Sequence, residues 1–309
     1  KISGFKGSRL IWYLPATTRL VELENLGFFI EILKEFPFSV SGYPLYDCGE
    51  LMDRALKGCE RFLADDVAAW DTRISVGDLR IEHWMLQQLT KDERQKKLIT
   101  ALYRLYANKQ VLIDREKDPD EAGPNQCVRS LFSLRGQRGS GENVTYAMNT
   151  ITNAILTYYK VSRAKGIPLE NLEEWTYHTL RDQRNRLDRH EPQEWMTLIS
   201  GDDSVIGVSE SLSSVLSRVS AEVHGGVGKP RKDIGVDVYS RVYEDITSVP
   251  FCSHYFVPVR IGEAVRKMPV RSCGEILAKA RVMLQYPTSL ETEEAWARAT
   301  GYQLLITYP

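Results

Sequence analysis

The stretch Thr197-Leu-Ile-Ser-Gly-Asp-Asp-Ser-Val-Ile206 decides how this chain folds, because it places two neighbouring acids between two apolar runs. The β-prone residues around Gly-Asp-Asp predict a hairpin with Asp202 and Asp203 at its tip. Adjacent carboxylates repel each other and gain little at a solvated turn unless a cation lies between them. A divalent metal ion such as Mg²⁺ is the economical candidate, because hard cations bind carboxylate and phosphate oxygens together. Taken alone, the tripeptide is equally compatible with an acidic surface turn.

A second acidic segment, Leu63-Ala-Asp-Asp-Val-Ala-Ala-Trp-Asp-Thr-Arg-Ile74, follows a short apolar run. Its three acids, Asp65, Asp66 and Asp71, are interrupted by apolar residues, unlike the acids of a solvated charge run. Buried or half-buried acids need partners. We therefore expect a metal pair that is shared between this segment and the Gly-Asp-Asp turn.

The bulk composition is that of an ordinary soluble globular protein. The chain has 309 residues, of which 43% are apolar and 26% charged, so it can bury a large core. The net charge of −1 means that any nucleic-acid surface is local. The sequence has no apolar run of the roughly 18 residues that a membrane span needs, and no signal peptide. Five scattered cysteines without Cys-x-x-Cys spacing indicate a reducing compartment. Both ends are abrupt and suggest a fragment.

Helical and strand patterns are mixed without a βαβ rhythm, which predicts an α+β fold around a small antiparallel sheet. Helices are predicted over 16–37, 47–62, 76–118 and 144–165, and from Ser209 to the glycine pair at 225–226. Strands are predicted at 10–14, 63–66 and 127–134 and as short pieces across 234–270, with further helices beginning near Ser272 and Ser289.

A glycine-rich loop, Arg135-Gly-Gln-Arg-Gly-Ser-Gly141, precedes the helix predicted over 144–165. Its glycines permit close backbone approach, and the helix N-terminus that follows favours negative charge. Three polar residues recur every four positions along that helix, Thr145, Asn149 and Asn153. This stripe fits interior amides that are satisfied inside the fold. It also fits a surface that faces ribose hydroxyls and a template strand, because a 2′-hydroxyl and an Asn amide each donate and accept.

Six segments resemble, in order, the polymerase motifs of a known family. Motifs F, A, B, C, D and E are matched at 6–13, 64–74, 137–153, 199–206, 229–234 and 249–256. The chain thus resembles the RNA-dependent RNA polymerase of flaviviruses and their relatives, including the segmented jingmen-type viruses. The resemblance implies a right-hand architecture, with a palm built on the small antiparallel sheet, helical fingers and the start of a thumb. The expected boundaries are fingers over 1–62, palm over 63–75, a fingers insertion over 76–136, palm over 137–260, and the start of the thumb or priming region over 261–309.

The resemblance assigns the catalytic, metal-binding acids of the palm to Asp66 and Asp202, with Asp203 beside them. Two Mg²⁺ or Mn²⁺ ions would lower the pKa of the primer 3′-hydroxyl and stabilise the departing pyrophosphate. Lys232 or Lys229 would supply a proton to that pyrophosphate as general acid.

Asp71 and Asn149 match the pair that reads the ribose 2′-hydroxyl of the incoming nucleotide, with Ser140 and Thr145 assisting. The segment Glu142-Asn143-Val144 stands where the family more often has Gln-Val-Gly. We expect this departure to affect template handling and to leave the metal chemistry unchanged.

Two further groups of residues match phosphate-binding positions of the family. Lys6 and Arg9 would lie over the triphosphate, where a guanidinium suits phosphate oxygens. Ser253, Arg271 and Lys279 would bind the phosphates of the priming nucleotide, with Lys279 replacing an expected arginine.

A structural zinc site of the family is predicted to be absent from this chain. Its ligand positions correspond to Tyr255, Val257 and Val270, while His254 and Cys273 lie nearby but are displaced.

The resemblance therefore implies template-directed nucleotidyl transfer that replicates a positive-strand RNA genome. The implied partners are RNA template and nascent RNA, NTPs, other viral replication proteins such as a helicase and a protease, and the missing fingertip and thumb segments. The implied location is the host cytoplasm, in a membrane-associated replication complex, without a transmembrane segment in this chain. One alternative is a catalytically inert RNA-binding or scaffold fragment. A reverse transcriptase is disfavoured by Asn149 with Asp71, because a DNA-making enzyme excludes the 2′-hydroxyl.

Overall fold

The structure is a computed structural model that describes residues 14–67, 70–116, 127–139, 142–223 and 238–272. The helices are α1 (Ala16–Leu33), α2 (Leu45–Ala55), α3 (Trp70–Arg73), α4 (Val76–Leu89), α5 (Glu93–Ala107), α6 (Thr145–Ala164), α7 (Leu172–Asp188) and α8 (Glu210–Val223). The strands are β1 (Arg61–Val67), β2 (Asn108–Glu116), β3 (Cys127–Arg135), β4 (Trp195–Ser200), β5 (Asp203–Val208), β6 (Val238–Tyr243), β7 (Tyr255–Ile261) and β8 (Ala264–Val270). The strands of each sheet pair in antiparallel fashion, and the predicted α+β class is confirmed.

The chain divides into two compact units, and each unit is made from two segments. The first comprises Lys1–Leu33 and Ala68–Thr152, and the second comprises Lys34–Val67 and Asn153–Pro309. One division falls inside α6, between Thr152 and Asn153. The finer expectation of fingers, palm and thumb segments stays a prediction.

In the first unit, α4 packs against α5, and β2 pairs with β3 from Asn108↔Arg135 to Glu116↔Cys127. The Ser75 hydroxyl begins α4 by accepting from the backbone of Asp78, whose carboxylate accepts from the Ser75 backbone N–H.

The helical character predicted over 76–118 is confirmed for α4 and α5 and is wrong from Asn108 to Glu116, which is strand. Two helices and a strand occupy this range, because α4 ends at Thr90, Asp92 caps α5, and the chain from Asn108 pairs with β3. That pairing joins two segments that are not adjacent in sequence, so the local charge pattern did not indicate it.

In the second unit, a four-stranded sheet has the strand order β4-β5-β1-β6. The predicted Gly-Asp-Asp hairpin is confirmed as β4 and β5, in register from Trp195↔Val208 to Ser200↔Asp203. The main core of this unit lies between α2 and the sheet, where Met52, Met196 and Leu198 are buried.

The helix predicted over 47–62 ends early, at Ala55. Gly58 has a φ of +87°, a left-handed conformation that glycine adopts readily and that ends the helical run. The chain then enters β1 at Arg61, two residues before the predicted strand, because Arg61 already pairs with Val208.

The predictions for α6 and α8 are confirmed within a residue at each described end, and α1 ends at Leu33 and not at 37. Helix α7 was not predicted. The strand expected at 10–14 and the helices expected near Ser272 and Ser289 fall almost entirely outside the described residues, as does the glycine pair at 225–226. Of the helices that the structure describes, none combines the length and apolar character that a membrane crossing requires.

Candidate active site

The acidic turn between β4 and β5 is held by a side chain from α6. Gly201 has a φ of +65°, which lets the chain reverse tightly. The Asn153 amide nitrogen donates to the carbonyl of Gly201 at 3.3 Å and to that of Asp202 at 3.0 Å. Asp202 is half-buried and Asp203 is exposed. Asn153 therefore fixes the turn that presents both acids.

Strand β1 brings the second acidic segment to the same end of the sheet. Asp65 pairs with Ser204 of β5, and Asp66 pairs with Tyr239 of β6. The register with β5 ends one residue short of Asp66 and Asp203, so these two occupy neighbouring positions along the paired strands. The backbone thus places Asp66 beside the Gly-Asp-Asp turn, although more than a hundred residues separate them in sequence.

Asp65 has a partner that the sequence interpretation did not foresee. The Lys160 ammonium donates to its Oδ2 at 2.5 Å, and the Ser220 hydroxyl donates to the same oxygen at 3.0 Å. Both side chains of the ion pair are buried, at 2% and 3% exposure. The expectation that all the acids of this segment share a metal pair is therefore wrong for Asp65. Lys160 lies seven residues after Asn153 on α6, so an extension of the polar stripe by helical spacing would have found it.

A tight turn at Phe251–His254 lies close to the acids. The backbones of Phe251 and His254 exchange two hydrogen bonds of 2.9 and 3.0 Å. Cys252 and Ser253, between them, have φ values of 52° and 60°, as a two-residue hairpin turn requires. Burial raises the pKa of the Cys252 thiol to about 12, a hydrogen bond with Ser200 opposes this rise, and the charge of Asp203 adds to it.

Ser253, which is expected to bind priming phosphates, lies in this turn, and Arg271, which shares that expected role, contacts the turn through His254. The Arg271 Nε donates to His254 Nε2 at 3.0 Å. Because a guanidinium only donates, His254 Nε2 is the acceptor, and Nδ1 carries the proton that is donated to the Cys252 carbonyl at 2.6 Å. Ser253 is exposed and Arg271 is half-buried, so both offer surface to a ligand.

In the first unit, Asp71 and Asn149 are in direct contact. The Asn149 amide nitrogen donates to Asp71 Oδ1 at 3.1 Å. Arg138 Nε donates to the Asn149 amide oxygen at 3.2 Å, and the Arg138 backbone donates to the Asp71 carbonyl at 2.8 Å. The sequence indicated Asp71 and Asn149 but not the role of Arg138.

Arg138 is fully buried and forms an ion pair with Glu82 of α4. Burial lowers the pKa of Arg138, but the charge of Glu82 and the hydrogen bond to it oppose this, and the pKa is raised overall. Glu82 also accepts hydrogen bonds from Thr152 at 3.1 Å and from Tyr103 at 3.3 Å. A lone glutamate in a charged helix gives no sequence signal of such a role.

The unusual segment after the glycine loop is bound to internal partners. Glu142 is buried and forms an ion pair with Lys109 at 2.7 Å. Asn143 donates to Glu22 at 2.9 Å and to the Arg19 carbonyl at 3.1 Å. Burial raises the pKa of Glu142, and Lys109 opposes the rise. These contacts support the loop from within, while the expected effect on template handling stays a prediction.

Thr145 donates to the Gly139 carbonyl at 2.5 Å, so its hydroxyl ties the glycine-rich loop to the start of α6.

Several predicted site residues lie outside the described part of the chain: Lys6, Arg9, Ser140, Lys229, Lys232 and Lys279. Among the side chains that the structure describes, which do not include that of Asp66, no three His, Cys, Asp or Glu residues converge as ligands for one metal ion.

The match to known families covers nearly the whole chain. The family model described as flavivirus RNA-directed RNA polymerase, fingers and palm domains, matches residues 1–239. The model for the thumb domain of the same polymerase matches residues 247–309, a start that precedes the predicted boundary at 261. The chain therefore belongs to the flavivirus RNA-directed RNA polymerase family, and the resemblance drawn from its motifs is confirmed.

Its relatives are parts of viral genome polyproteins. The chain is 33% identical to the genome polyprotein of Banzi virus over 294 residues, which are 90% of the chain and 8% of that polyprotein. It is 32% identical to that of Omsk hemorrhagic fever virus over 311 residues, which are 98% of the chain and 9% of the polyprotein. The genome polyprotein of Mosquito cell fusing agent is 31% identical over 314 residues, with the same coverage of 98% and 9%. The chain thus spans less than a tenth of the length of these relatives.

Proposed function

We propose that this chain carries the catalytic centre of a viral RNA-directed RNA polymerase. It joins nucleoside monophosphates from NTPs to an RNA 3′-hydroxyl under the direction of an RNA template, and pyrophosphate leaves. The observation that supports this most is the register of β1 and β5, which sets Asp66 next to the turn with Asp202 and Asp203. Family membership supports the same reaction.

The donor set at this end of the sheet fits a pair of hard divalent cations. All three side chains are carboxylates, the ligand type that Mg²⁺ and Mn²⁺ prefer, and the turn that carries two of them is fixed by Asn153. Asp66 and Asp202 would hold the two ions, with Asp203 beside them. When bound, such ions activate the attacking hydroxyl and neutralise the charge of the leaving pyrophosphate.

The protein residues contribute positioning. Asp71, braced by Asn149, accepts a hydrogen bond from the ribose 2′-hydroxyl, and this selects NTPs over dNTPs. Ser253 and Arg271 bind phosphates of the priming nucleotide, and Arg271 is oriented by His254.

Other roles follow from the family motifs alone. Ser140 assists at the ribose, Lys6 and Arg9 bind the triphosphate, and Lys279 joins the priming site. Lys232 or Lys229 protonates the pyrophosphate as general acid.

The experiment measures radiolabelled NMP incorporation on an RNA template by the full-length polymerase that contains this chain. We expect Asp66→Asn and Asp202→Asn each to lower the rate by roughly a hundredfold or more, as for removal of a group that stabilises transition-state charge. Asp188→Asn is the matched control, because this exposed acid on α7 lies in the same unit and pairs only loosely with Arg184, at 3.5 Å. We expect it to retain the full rate.

Incorporation by Asp202→Asn at the control rate would refute the assignment. RNA binding by a full-length protein that never incorporates nucleotide would instead favour the inert RNA-binding alternative.

The partners proposed are RNA template and nascent RNA, together with the other products of a viral polyprotein such as a helicase and a protease. Replication would take place in the cytoplasm of a host cell, in a membrane-associated complex. The polyprotein nature of the relatives supports this context.

A further inference from the structure

Four side chains form a continuous hydrogen-bonded line in the first unit, which we name the Glu82–Asp71 relay. Arg138 Nη2 donates to Glu82 Oε1, and Arg138 Nε donates to the Asn149 amide oxygen at 3.2 Å. The Asn149 amide nitrogen then donates to Asp71 Oδ1 at 3.1 Å. The Arg138 backbone N–H also donates to the Asp71 carbonyl at 2.8 Å. Arg138 therefore bonds to both Asn149 and Asp71, the two residues that contact each other.

The relay fixes which way the Asn149 amide faces. A guanidinium can only donate hydrogen bonds and a carboxylate can only accept them. The amide between Arg138 and Asp71 must therefore present its oxygen to the first and its nitrogen to the second. A flipped amide would bring donor against donor and acceptor against acceptor, so Arg138 sets the orientation.

Burial divides the four side chains by role. Glu82, Arg138 and Asn149 are 2%, 1% and 4% exposed, whereas Asp71 is half-buried. Of the four, Asp71 is the one with surface to offer a nucleotide. Asn149 is buried and acts mainly by holding the Asp71 carboxylate in place. This refines the expectation that both residues of the pair contact the ribose.

We propose that Arg138 and Glu82 are positioning residues for ribose selection: they orient Asn149, and Asn149 holds the Asp71 carboxylate where it accepts from a 2′-hydroxyl. The inference rests on the proposed polymerase function and names the residues that set discrimination between NTPs and dNTPs. A site built to bind a hydroxyl rejects the analogue that lacks it, because its acceptor is then left without a partner. A carboxylate that is no longer held loses this preference.

The test uses the full-length polymerase and a double variant, Arg138→Met with Glu82→Gln. Both buried charges disappear together, so no uncompensated charge stays in the interior. Thr152 donates to Glu82 Oε1 and Tyr103 to Oε2, so the single amide oxygen of the introduced glutamine keeps one of these two hydrogen bonds. The hydroxyl at the other position can rotate to accept from the glutamine amide nitrogen. A second variant, Arg138→Lys, keeps the charge opposite Glu82 but replaces the two-pronged donor by a single ammonium.

The matched control is Lys109→Met with Glu142→Gln. This ion pair is also buried and lies in the same unit, with 2.7 Å between Lys109 Nζ and Glu142 Oε1. It supports the segment that follows the glycine-rich loop and is not one of the four side chains of the relay. Its removal changes charge and packing to a similar degree.

The measurements are kcat and KM for one NTP and its matching dNTP, with thermal unfolding to verify that each variant is folded. We expect both relay variants to lower the NTP/dNTP ratio of kcat/KM by about three- to tenfold, the effect of one hydrogen bond. The change should come mainly from a higher KM for the NTP. The control should keep the ratio of the unaltered enzyme even if its rate falls.

Folded relay variants with an unchanged ratio would overturn the inference, and so would a control whose ratio falls equally. In both cases the unaltered enzyme still incorporates NTPs, and the proposed function stands. An unaltered enzyme that incorporates no NTP removes the proposed function and this inference with it.

Discussion

At the scale of single residues, the polar stripe on α6 has a different meaning at each position. Asn153 holds the acidic turn, Asn149 lies between Arg138 and Asp71, and Thr145 closes the glycine loop. The spacing correctly predicted that these residues share one face of a helix. It did not show whether that face meets a ligand or the interior, because periodicity reports direction and not what lies there. Both asparagines are buried, at 3% and 4% exposure, and each bonds to groups inside its own unit, while the ribose contact expected of Asn149 stays a prediction.

The Cys252 thiol gives a prediction about pH. In the folded chain burial raises its pKa to about 12 from an ordinary value of 9.0. The thiol therefore favours the folded state below pH 9, and this contribution is lost as the pH rises from 9 towards 12. At pH 9 we expect iodoacetamide to alkylate Cys252 at least roughly a hundredfold more slowly in the folded chain than in the chain unfolded by urea, because the thiolate is the nucleophile.

Mass spectrometry of the Cys252 peptide after timed alkylation measures this difference. The urea-unfolded chain at the same pH is the control. Equal labelling rates in the two states would show that the thiol is neither buried nor protonated as described.

At the scale of elements, strand β1 is supported from α6 and α8 by the buried contact of Asp65 with Lys160 and Ser220. We expect Lys160→Met to lower the free energy of unfolding by about 3–5 kcal/mol, because the Asp65 charge loses its counter-ion in the interior. Asp65→Asn together with Lys160→Met should recover most of this loss, since both charges are then gone. Urea unfolding of the single and double variants measures both effects.

The control for these single and double variants is Arg163→Met. Arg163 lies on the same helix and pairs with Glu222 of α8 at 3.1 Å, but the two side chains are 41% and 50% exposed. An exposed pair contributes less than about 1 kcal/mol. If Arg163→Met lowered the free energy of unfolding as much as Lys160→Met, the assignment of a buried counter-ion would be contradicted. The same holds if the double variant Asp65→Asn with Lys160→Met were no more stable than Lys160→Met alone.

Elements with strong local signals were predicted well from the sequence, and elements that depend on distant pairing were not. The Gly-Asp-Asp turn and the apolar spacing of α6 and α8 are local features, and all three are observed. Strand β2 was mistaken for helix because its partner, β3, is not adjacent to it in sequence. Glu82 was missed because a buried charge of this kind is recognised by its partner and not by its neighbours in sequence. Lys160 was missed because the polar stripe of α6 was not extended beyond Asn153.

At the scale of the whole molecule, each unit is built from two separate segments, so the acids of one site come from distant parts of the sequence. Strand β1 belongs to the same unit as β4 and β5, so the backbone brings Asp66 beside the turn that carries Asp202, 136 residues later, as the proposed metal site requires. A site of this kind exists only in the folded chain. Its ligands should therefore stabilise the fold by mass action.

We expect Mn²⁺ at about ten times its dissociation constant to stabilise the second unit by about 1.4 kcal/mol, which raises its unfolding temperature by roughly 3–6 °C. Asp202→Asn and Asp66→Asn should abolish this shift, because each removes a carboxylate that would hold the ions. Asp188→Asn should preserve it, since this exposed acid pairs with Arg184 on α7. Differential scanning calorimetry with Mn²⁺ and with EDTA makes the comparison without any need for catalysis. A shift of equal size in Asp202→Asn would mean that the ion binds elsewhere, and the shared site at the end of the sheet would have to be abandoned.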